Sequence, residues 1–315
     1  MELVKDTNLQ FVSKRKKFFF ASGIIILIGI ISMLFQGLNY GIDFAGGTLL
    51  QLDFENNVSV AEVRDVLGEM SLASSTIQSL SGNEIMIRTG QISLEEREKM
   101  LETIESKIEP FEVLKVEMVG PVIGESLKKL ALLAIIFAFI GIIVYITIRF
   151  EFKFALSSII ALAHDVLITI GILSIMQKEI TIPIVAAILT VVGYSINNTI
   201  VIFDRLRENL KFKGHTIFGE LIDLSINQTL TRTINTALTT LLPIMVLYFL
   251  GGSLSDFAFV LFIGLLVGTY SSIFIAGPLI LELKKGVKFQ PQHVMQANKK
   301  EKKAADLKKN DQKKK

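Results

Sequence analysis

Six long apolar runs dominate the pattern of hydrophobic and polar positions along the chain. They cover about 18–36, 128–148, 154–175, 182–203, 234–250 and 257–281. At ~1.5 Å per residue, a helix of about twenty residues crosses a hydrocarbon core of roughly 30 Å. Half of the residues are hydrophobic and the mean hydropathy is positive. The pattern therefore predicts a polytopic membrane protein with six transmembrane helices.

Residues 37–127, between the first and second apolar runs, carry short alternating stretches separated by turn residues. These predict strands at 47–54, 75–80, 84–88 and 111–118 and helices at 59–70 and 93–108. A serine followed three residues later by a glutamate opens each helix, which is the arrangement of a capping box. The resulting order, βαββαβ, is typical of a ferredoxin-like sandwich. The predicted fold is thus an α-helical membrane bundle with an inserted extracytoplasmic α+β ferredoxin-like domain.

Basic residues are distributed unevenly among the loops that join the apolar runs. The clusters are Lys14 to Lys17, then Arg149 and Lys153, then Arg205, Arg207, Lys211 and Lys213, and finally Lys284 and Lys285. The short loops on the opposite side contain a single basic residue, Lys178. The positive-inside rule then places both termini in the cytoplasm and the inserted domain outside. No small-residue cleavage site follows the first run, so we interpret it as a retained anchor and not as a signal peptide.

The chain thus divides into five predicted segments. They are a cytoplasmic N-terminus (1–17), the first transmembrane helix (18–36), the inserted domain (37–127), transmembrane helices two to six (128–283) and a polybasic tail (284–315). The tail contains about a dozen lysines and few large apolar residues, a composition typical of disorder. Anionic lipid attracts such a segment by about 1 kcal/mol per charge near the surface. Ribosomal RNA is a second candidate, and a solvated tail that reinforces topology is the simplest alternative.

Composition also excludes several kinds of chemistry. The chain has no cysteine, which rules out disulfides and thiol catalysis. Its three histidines, His164, His215 and His293, lie far apart and have no partner at metal-ligand spacing. No nucleotide-binding motif and no arrangement of nucleophile and base is present. We therefore expect no metal site and no cofactor, and we do not expect an enzyme.

Polar residues interrupt the fourth apolar run within 191–209. Ser195, Asn198 and Thr199 are spaced i, i+3 and i+4 and share one helix face, whereas Asn197 points elsewhere. In hydrocarbon each of these groups needs an internal partner. The face is either a hydrated, ion-accessible polar seam or a set of interhelical hydrogen bonds worth roughly 0.6–2 kcal/mol each. We assign the seam to Asn198 and take Ser195 and Thr199 as bundle contacts.

Asp165 is placed in the middle of the third run and follows His164. A lone acid at that depth is costly unless it is paired or protonated. It is a candidate to carry a proton or to form an ion pair with Arg232, which precedes the apolar part of the fifth run. Histidine in such a position more often serves as a helix-packing donor. For Arg232 the simplest alternative is a side chain that extends to the cytoplasmic interface.

Glycine-rich junctions connect the inserted domain to the membrane at both ends. The residues are Gly41, Asp43, Gly46 and Gly47 at the first junction, and Gly120, Pro121 and Gly124 at the second. Paired glycines allow positive φ and close backbone approach. An acid such as Asp43 is suited to cap a turn or to hold a basic group. The junctions are either hinges that let the domain swing or tight turns without motion.

Five motifs together resemble one known family. They are GIDFAGG (41–47), VGPVIGESL (119–127), ALAHDVLITIG (161–171), VGYSINNTIVIFDRLREN (192–209) and INQTLTRTINTALTTLLP (226–243). Over about 11–285 the chain resembles the SecF family of bacterial membrane proteins. The resemblance implies a heterodimer with SecD in the plasma membrane and a bundle like that of the proton-driven RND exporters. It also implies that the proton-motive force moves the outer domain and draws out polypeptide that SecA has pushed into SecYEG. YajC is a further partner candidate.

The resemblance also marks a departure at Asn198. Most family members have an aspartate at that position, which pairs with the arginine matching Arg232, and both are implicated in proton passage. An amide cannot take up and release a proton near neutral pH. Asp165 is then the acid deep in a span, and Arg232 is expected to turn inward toward Asp165 or toward an acid of SecD. Two alternatives stay open: a half-exporter of small hydrophobic molecules, and a structural SecD partner without ion coupling of its own.

Overall fold

The computed structural model describes residues 8–80, 82–212 and 217–284. In chain order the elements are α1 (Phe11–Phe35), α2 (Ile42–Ala45), β1 (Gly47–Phe54), α3 (Val60–Glu69), β2 (Thr76–Ser79), β3 (Glu84–Thr89), α4 (Leu94–Lys107), β4 (Phe111–Val119), α5 (Pro121–Arg149), α6 (Phe152–Ile175), α7 (Ile182–Phe212), α8 (Phe218–Leu250), a 3-10 turn (Gly252–Leu254), α9 (Ser255–Ser271), a π turn (Ser272–Ala276) and α10 (Gly277–Leu283). The predicted tail beyond residue 284, together with His215 and His293, lies outside the described residues.

Six spans in the described part of the chain are long and apolar enough to cross a membrane, as predicted. They are α1, α5, α6, α7, α8 and the last span, Gly252–Leu283, which joins the 3-10 turn, α9, the π turn and α10. Several helices extend beyond the apolar runs because polar residues at their ends continue the helix outside the hydrocarbon. Thus α7 continues to Phe212 and α5 already begins at Pro121, with Gly120 as N-cap. Proline suits this first position because its missing N–H has no partner there in any helix.

Three of the spans form the centre of the bundle. In α6, in α7 and in the last span, half or more of the apolar window is buried, against 6% in α5 and 17% in both α1 and α8. Close backbone approach makes this packing possible. A Cβ added to Gly171 of α6 would lie 2.9 Å from the Cα of Gly29 in α1, so only glycine fits at the crossing. The outer helices therefore present most of their surface to lipid or to a partner.

The inserted domain is a four-stranded antiparallel sheet in the order β2-β3-β1-β4, packed against α3 and α4. Every second residue of β1 points to the helices, so Leu50 and Leu52 are fully buried with Ile87, Met100 and Ile104. Both predicted capping boxes are present, with Ser59 and Ser93 each accepting from the N3 backbone. The predicted fold class is confirmed, and each predicted strand and helix lies within two residues of its observed bounds.

The first junction lies directly on the loop between α6 and α7. Tyr40 pairs with Ile180 in a short parallel bridge, and the Gly41 N–H donates to Ile180 O at 2.9 Å. Asp43 Oδ2 accepts from the Ile182 N–H at 2.8 Å, so this acid caps the N-terminus of α7. A carboxylate there also meets the positive end of the helix dipole. Of the two roles suggested for Asp43, the structure shows the cap.

An ion pair adds a second contact between the inserted domain and the same loop. Arg88 Nε of β3 lies 3.0 Å from Glu179 Oε2, and the two side chains are only 14% and 11% exposed. Burial raises the pKa of Glu179, while the charge of Arg88 acts in the opposite direction. The domain is thus fixed to the membrane bundle by a side-chain pair as well as by its junctions.

The two glycine junctions also pack against each other. A Cβ on Gly124 would lie 2.9 Å from Phe44 O, and one on Gly46 would lie 3.1 Å from Pro121 Cα. Gly47 has φ +143, and a Cβ there would meet Thr89 O at 2.5 Å. In this conformation the junctions are close-packed at Gly46, Gly47 and Gly124, where a side chain would not fit, whereas Gly120 has open space around it. The hinge interpretation stays a prediction.

Candidate functional site

Asp165 is the centre of a polar cluster inside the bundle. Its side chain is 0% exposed, and both carboxyl oxygens have partners. Oδ2 accepts from Ser195 Oγ of α7 at 2.5 Å and from Ser271 Oγ of α9 at 2.8 Å. Oδ1 lies 2.9 Å from Nδ1 of His164. Three helices therefore meet at one carboxyl group, as expected for an acid that is kept away from lipid.

Small residues on α9 allow this approach. Gly264 lies against Val191, Gly268 against Ser195, and Ser272 follows four residues later. A Cβ on Gly268 would come within 2.9 Å of the Ser195 Cβ, so a larger residue would push α7 away from α9. A row of small residues at i and i+4 is how membrane helices bring their backbones together. This close contact between α7 and α9 places Ser195 within hydrogen-bond distance of Asp165.

The π turn adjoins the cluster. Ser272 Oγ donates to Gly268 O at 2.7 Å, and Thr199 Oγ1 donates to Ser272 Oγ at 3.2 Å. At the other end of the turn, Ser157 Oγ of α6 donates to Ala276 O at 2.7 Å. A π turn leaves some backbone carbonyls without a helical partner, and such turns are frequent at functional sites. Here buried hydroxyl groups from α6 and α7 contact both ends of the turn.

His164 belongs to the cluster and is more than a packing donor. Its side chain is 6% exposed and its ring stacks on Tyr270 at a centroid distance of 6.0 Å. Because an ionised carboxylate only accepts, Nδ1 carries the hydrogen when Asp165 is charged. Nε2 is buried and has no hydrogen-bond partner among the described residues. His164 and Asp165 thus form a buried pair in which one nitrogen remains free.

Asn198 lies next to the cluster on the predicted face. It is 4% exposed, and like Ser195 and Thr199 it is buried, whereas Asn197 is exposed, as the spacing predicts. Its Nδ2 has no hydrogen-bond partner in the part of the chain that the structure describes, and neither has the hydroxyl of Tyr194. A buried donor without a partner costs about 1–3 kcal/mol. Ser195 and Thr199 make interhelical hydrogen bonds, but the Ser195 bond goes to Asp165 itself.

Arg232 does not pair with Asp165, and this part of the prediction is wrong. The residue is exposed on the outer surface of α8, and no ion pair joins it to an acid of the described residues. The helix geometry gives the reason, since Thr229, Leu230 and Thr233 are the buried α8 residues near that level. Arg232 follows Thr229 by three positions but projects from the outer edge of that face. The carboxyl oxygens of Asp165 are paired instead with the hydroxyl groups of Ser195 and Ser271 and with Nδ1 of His164.

Ser271 and Ser272 are the residues of the cluster and its adjoining π turn that the sequence reasoning missed. The predicted spans treat their helix as an apolar run, because the serines are flanked by large hydrophobic residues. A usable signal was present in the spacing of Gly264, Gly268 and Ser272, which marks a close helix contact. Only the three-dimensional packing identifies Asp165 as the residue opposite Ser271.

The cluster is suited to proton binding and not to metal binding. No group of three or more histidine, aspartate or glutamate side chains is placed to hold a metal ion within the described ranges. An ionised Asp165 accepts all the hydrogens directed at it, whereas a protonated one must donate a hydrogen as well. Proton uptake therefore requires that one of the surrounding groups change from donor to acceptor.

Comparison with protein families gives two matches. A model described as the C-terminal part of the protein export membrane protein SecD/SecF matches residues 98–286, and the SecD/SecF GG motif matches residues 31–58. The second match includes Gly46 and Gly47. The first includes Asp165, Asn198 and Ser271.

Individual relatives cover nearly the whole chain. The protein translocase subunit SecF of Calditerrivibrio nitroreducens is 42% identical over 295 residues, which are 90% of this chain and 97% of the relative. The SecF of Sebaldella termitidis is 43% identical over 88% of this chain and 92% of its own length. The protein translocase subunit SecDF of Thermus thermophilus is 43% identical over 81% of this chain, but over only 36% of its own length.

The crystal structure of SecDF from Thermus thermophilus, a translocon-associated membrane protein, has a similar fold. The TM-score is 0.82 at 40% identity, and the match covers 90% of this chain and 40% of SecDF. A crystal structure of SecDF in a super-membrane-facing form matches with a TM-score of 0.70 over 95% of this chain. With both SecF relatives matched over more than nine-tenths of their length, the chain belongs to the SecF family of protein translocase subunits.

Proposed function

We propose that this chain works with SecD to promote the export of proteins across the bacterial plasma membrane, and that proton binding at Asp165 couples its half of the complex to the proton-motive force. The observation that supports coupling is the cluster itself. Asp165 is fully buried in the centre of α6 and is held by hydroxyl groups from α7 and α9. A carboxyl group in the middle of a membrane bundle is typical of proton relays.

The exposed side of the bundle supports SecD as the partner. SecDF of Thermus thermophilus carries both names in one chain, and this chain matches 40% of the solved SecDF structure. Here α5 and α8 are the least buried spans together with α1, and Arg232 is on the surface of α8. Arg232 precedes the apolar part of α8, and an arginine that enters the hydrocarbon there without a partner carries a cost, up to about 2.5–3.5 kcal/mol at the centre of a span on insertion scales. An acid of SecD facing Arg232 would remove that cost.

The remaining partners follow from the same assignment. The complex acts beside SecYEG and after SecA, on the translocating polypeptide, with YajC as an accessory candidate. Both termini lie in the cytoplasm and the inserted domain lies outside, in keeping with the basic residues that flank the helix ends. The chain has no catalytic role of its own, because the work comes from the ion gradient.

In this proposal Asn198 and Asp165 have different roles. Its amide is buried beside Ser195 but cannot titrate, so it shapes the polar surroundings of α7 and Asp165 takes the proton. A structural SecD partner without ion coupling is the competing function. The half-exporter of small hydrophobic molecules is less suitable, because the apolar side chains between the sheet and the two helices of the inserted domain fill a packed core.

The test is the substitution Asp165→Asn in reconstituted vesicles that contain SecD, SecYEG and SecA. We expect preprotein export to lose its dependence on an imposed proton gradient, while ATP-driven export without the gradient is unchanged. Asp204→Asn is the matched control, since Asp204 is an exposed acid on α7 that pairs with Arg149 at 3.5 Å. Unchanged gradient dependence in Asp165→Asn would remove this residue from coupling and favour the structural role.

A second substitution, Asn198→Asp, uses the same vesicles. It restores an acid at the position where most family members have one. A gain in gradient-driven export would show that the missing acid limits this chain. No gain would indicate that Asp165 or SecD already provides the full path.

A further inference from the structure

The hydroxyl of Ser271 has two acceptors, and this distinguishes it from its neighbour in the cluster. It donates to Asp165 Oδ2 at 2.8 Å and to the backbone oxygen Gly268 O at 3.2 Å. Ser195 Oγ also donates to Oδ2, at 2.5 Å, but has no second acceptor within the described residues. A serine hydroxyl has one hydrogen and two lone pairs. Ser271 can therefore turn its hydrogen to Gly268 and keep a hydrogen bond.

The alternative hydrogen bond from Ser271 to Gly268 O lets the cluster accept the additional hydrogen of a protonated Asp165. A proton that binds Oδ2 forms an O–H bond, and the charge of the carboxyl group changes from −1 to zero. The new O–H needs an acceptor in a site from which water is excluded. Ser271 Oγ becomes that acceptor when its own hydrogen turns to Gly268 O, and Ser195 keeps donating to the same carboxyl group. Release of the proton reverses both changes, and no other reactant takes part.

The position of Ser271 connects this change to the π turn. It is the last residue of α9 and directly precedes the turn Ser272–Ala276. Hydrogen bonds hold the turn at both ends, from Ser271 to Asp165 at the start and from Ser157 to Ala276 O at the finish. Both partners, Ser157 and Asp165, are on α6. When the first bond weakens, the turn is held firmly to α6 at one end only.

We propose that Ser271 is a positioning residue that transmits the protonation state of Asp165 to the π turn and thereby to α10. The inference rests on the proposed function, because it takes Asp165 as the proton carrier. A hydrogen bond to an ionised carboxylate is about twice as strong as one between neutral groups. Loss of the charge therefore loosens the start of the π turn, and the last span changes its packing against α6.

The surroundings of Asp165 contain few other groups that titrate. On α6 the titratable neighbour is His164, whose Nδ1 contacts Oδ1 and not Oδ2. On α9 it is Tyr270, which stacks on the His164 ring and whose hydroxyl lies 3.0 Å from Ser22 Oγ of α1. The α7 residue in contact with Asp165 is Ser195, whose hydroxyl does not ionise near neutral pH. A pH effect that depends on Ser271 is thus attributable to the Oδ2 side of the carboxyl group.

The experiment uses the full chain in complex with SecD in lipid nanodiscs. Infrared difference spectra report the protonated carboxyl group of Asp165 as a function of pH, with Asp165→Asn to assign the band. Hydrogen exchange followed by mass spectrometry reports the backbone amides of 272–283 over the same pH range. In the unmodified chain we expect exchange in this segment to rise about tenfold, beyond the intrinsic pH effect, as the carboxyl band appears.

Ser271→Ala separates the two readouts. We expect the carboxyl band to titrate still, with its midpoint displaced, while the linked change in exchange falls to less than threefold. Ser271→Cys keeps the size and a weak donor, and we expect it to restore part of the change. Thr269→Val is the matched control, because Thr269 is on α9 outside the turn and its hydroxyl donates to Leu265 O of the same helix.

Two results would overturn the proposal. One is a pH-linked change in exchange that is as large in Ser271→Ala as in the unmodified chain. The other is a carboxyl band that titrates in the unmodified chain without any change in the exchange of 272–283. In both cases Asp165 still binds a proton, so the proposed function stands. A band that never appears between pH 4 and pH 9 would overturn both, and the vesicle assay with Asp165→Asn would confirm that loss independently.

Discussion

Removal of the Arg88–Glu179 ion pair gives the sharpest test of how the inserted domain is held on the membrane bundle. The substitution Arg88→Met keeps most of the apolar stem of the side chain and removes the charge. It leaves Glu179, which is 11% exposed, beside the first junction without its cation. The bundle and the core of the inserted domain are unaffected, because Arg88 belongs to neither.

The structure sets the size of the effect. Two unit charges 3.0 Å apart attract by about 5.5 kcal/mol at an effective dielectric constant near 20, before desolvation is subtracted. Breaking a buried pair by removal of one partner costs about 3–5 kcal/mol. We expect the lower end, ~3 kcal/mol, since a tenth of each side chain remains in water and an unpaired Glu179 can take up a proton. That corresponds to a shift of about 100-fold in the docking equilibrium.

Hydrogen exchange measures docking directly, because three backbone amides of the contact have defined partners. Gly41 N–H donates to Ile180 O, Ile180 N–H to Asn39 O, and Ile182 N–H to Asp43 Oδ2. In Arg88→Met we expect these amides to exchange up to about 100-fold faster. The matched control is Arg64→Met, because Arg64 is exposed on α3 of the same domain. The reversed pair, Arg88→Glu with Glu179→Arg, should recover most of the protection. Equal exchange in Arg88→Met and Arg64→Met would refute the docking role of the ion pair.

Two further predictions concern Glu179 and the crossing of α1 and α6. Burial raises the pKa of Glu179 in the docked state above the ordinary 4.5. The docked state therefore binds the proton of Glu179 more tightly than the undocked state does. Docking should strengthen as the pH falls from the raised pKa toward 4.5. Exchange at Ile180, corrected for the intrinsic rate, should slow in that window, and a dependence that survives in Glu179→Gln would contradict this assignment. Gly171→Ala should destabilise the bundle by about 1–3 kcal/mol, because its Cβ would lie 2.9 Å from Gly29 Cα. Thermal unfolding in detergent measures this, with Gly23→Ala on α1 as the control in open space; equal melting temperatures would argue against a tight crossing.

The local patterns in the sequence were sufficient for most of the architecture. Apolar runs gave the six spans because each span must satisfy its own backbone in lipid. Period-two alternation and two serine–glutamate boxes gave the inserted domain, whose observed bounds differ by at most two residues. The shared face of Ser195, Asn198 and Thr199 also followed from spacing alone. Each of these features depends on residues that are close together in the chain.

The parts of the site that could not be predicted depend on contacts between distant segments. Ser271 lies 106 positions from Asp165, and Arg88 lies 91 positions from Glu179 (179 − 88), so no spacing rule connects them. Arg232 shows the converse error. The family resemblance implied that it turns inward, toward Asp165 or toward an acid of SecD. One residue of helix rotation decides between the buried face of Thr233 and the exposed edge where Arg232 lies. Sequence polarity alone does not determine that rotation.

The cap that Asp43 places on α7 has a mechanical consequence. The backbone hydrogen bonds of a helix run along its axis, so α7 would transmit an axial displacement as a stiff element. The thirteen residue steps from Ile182 to Ser195 span about 20 Å, with Asp43 at one end and the Asp165 cluster at the other. A displacement of α7 by 1 Å at the cluster would therefore reach the base of the inserted domain almost in full. The transmission would also work in the opposite direction, so that a displacement of the inserted domain would shift Ser195 relative to Asp165.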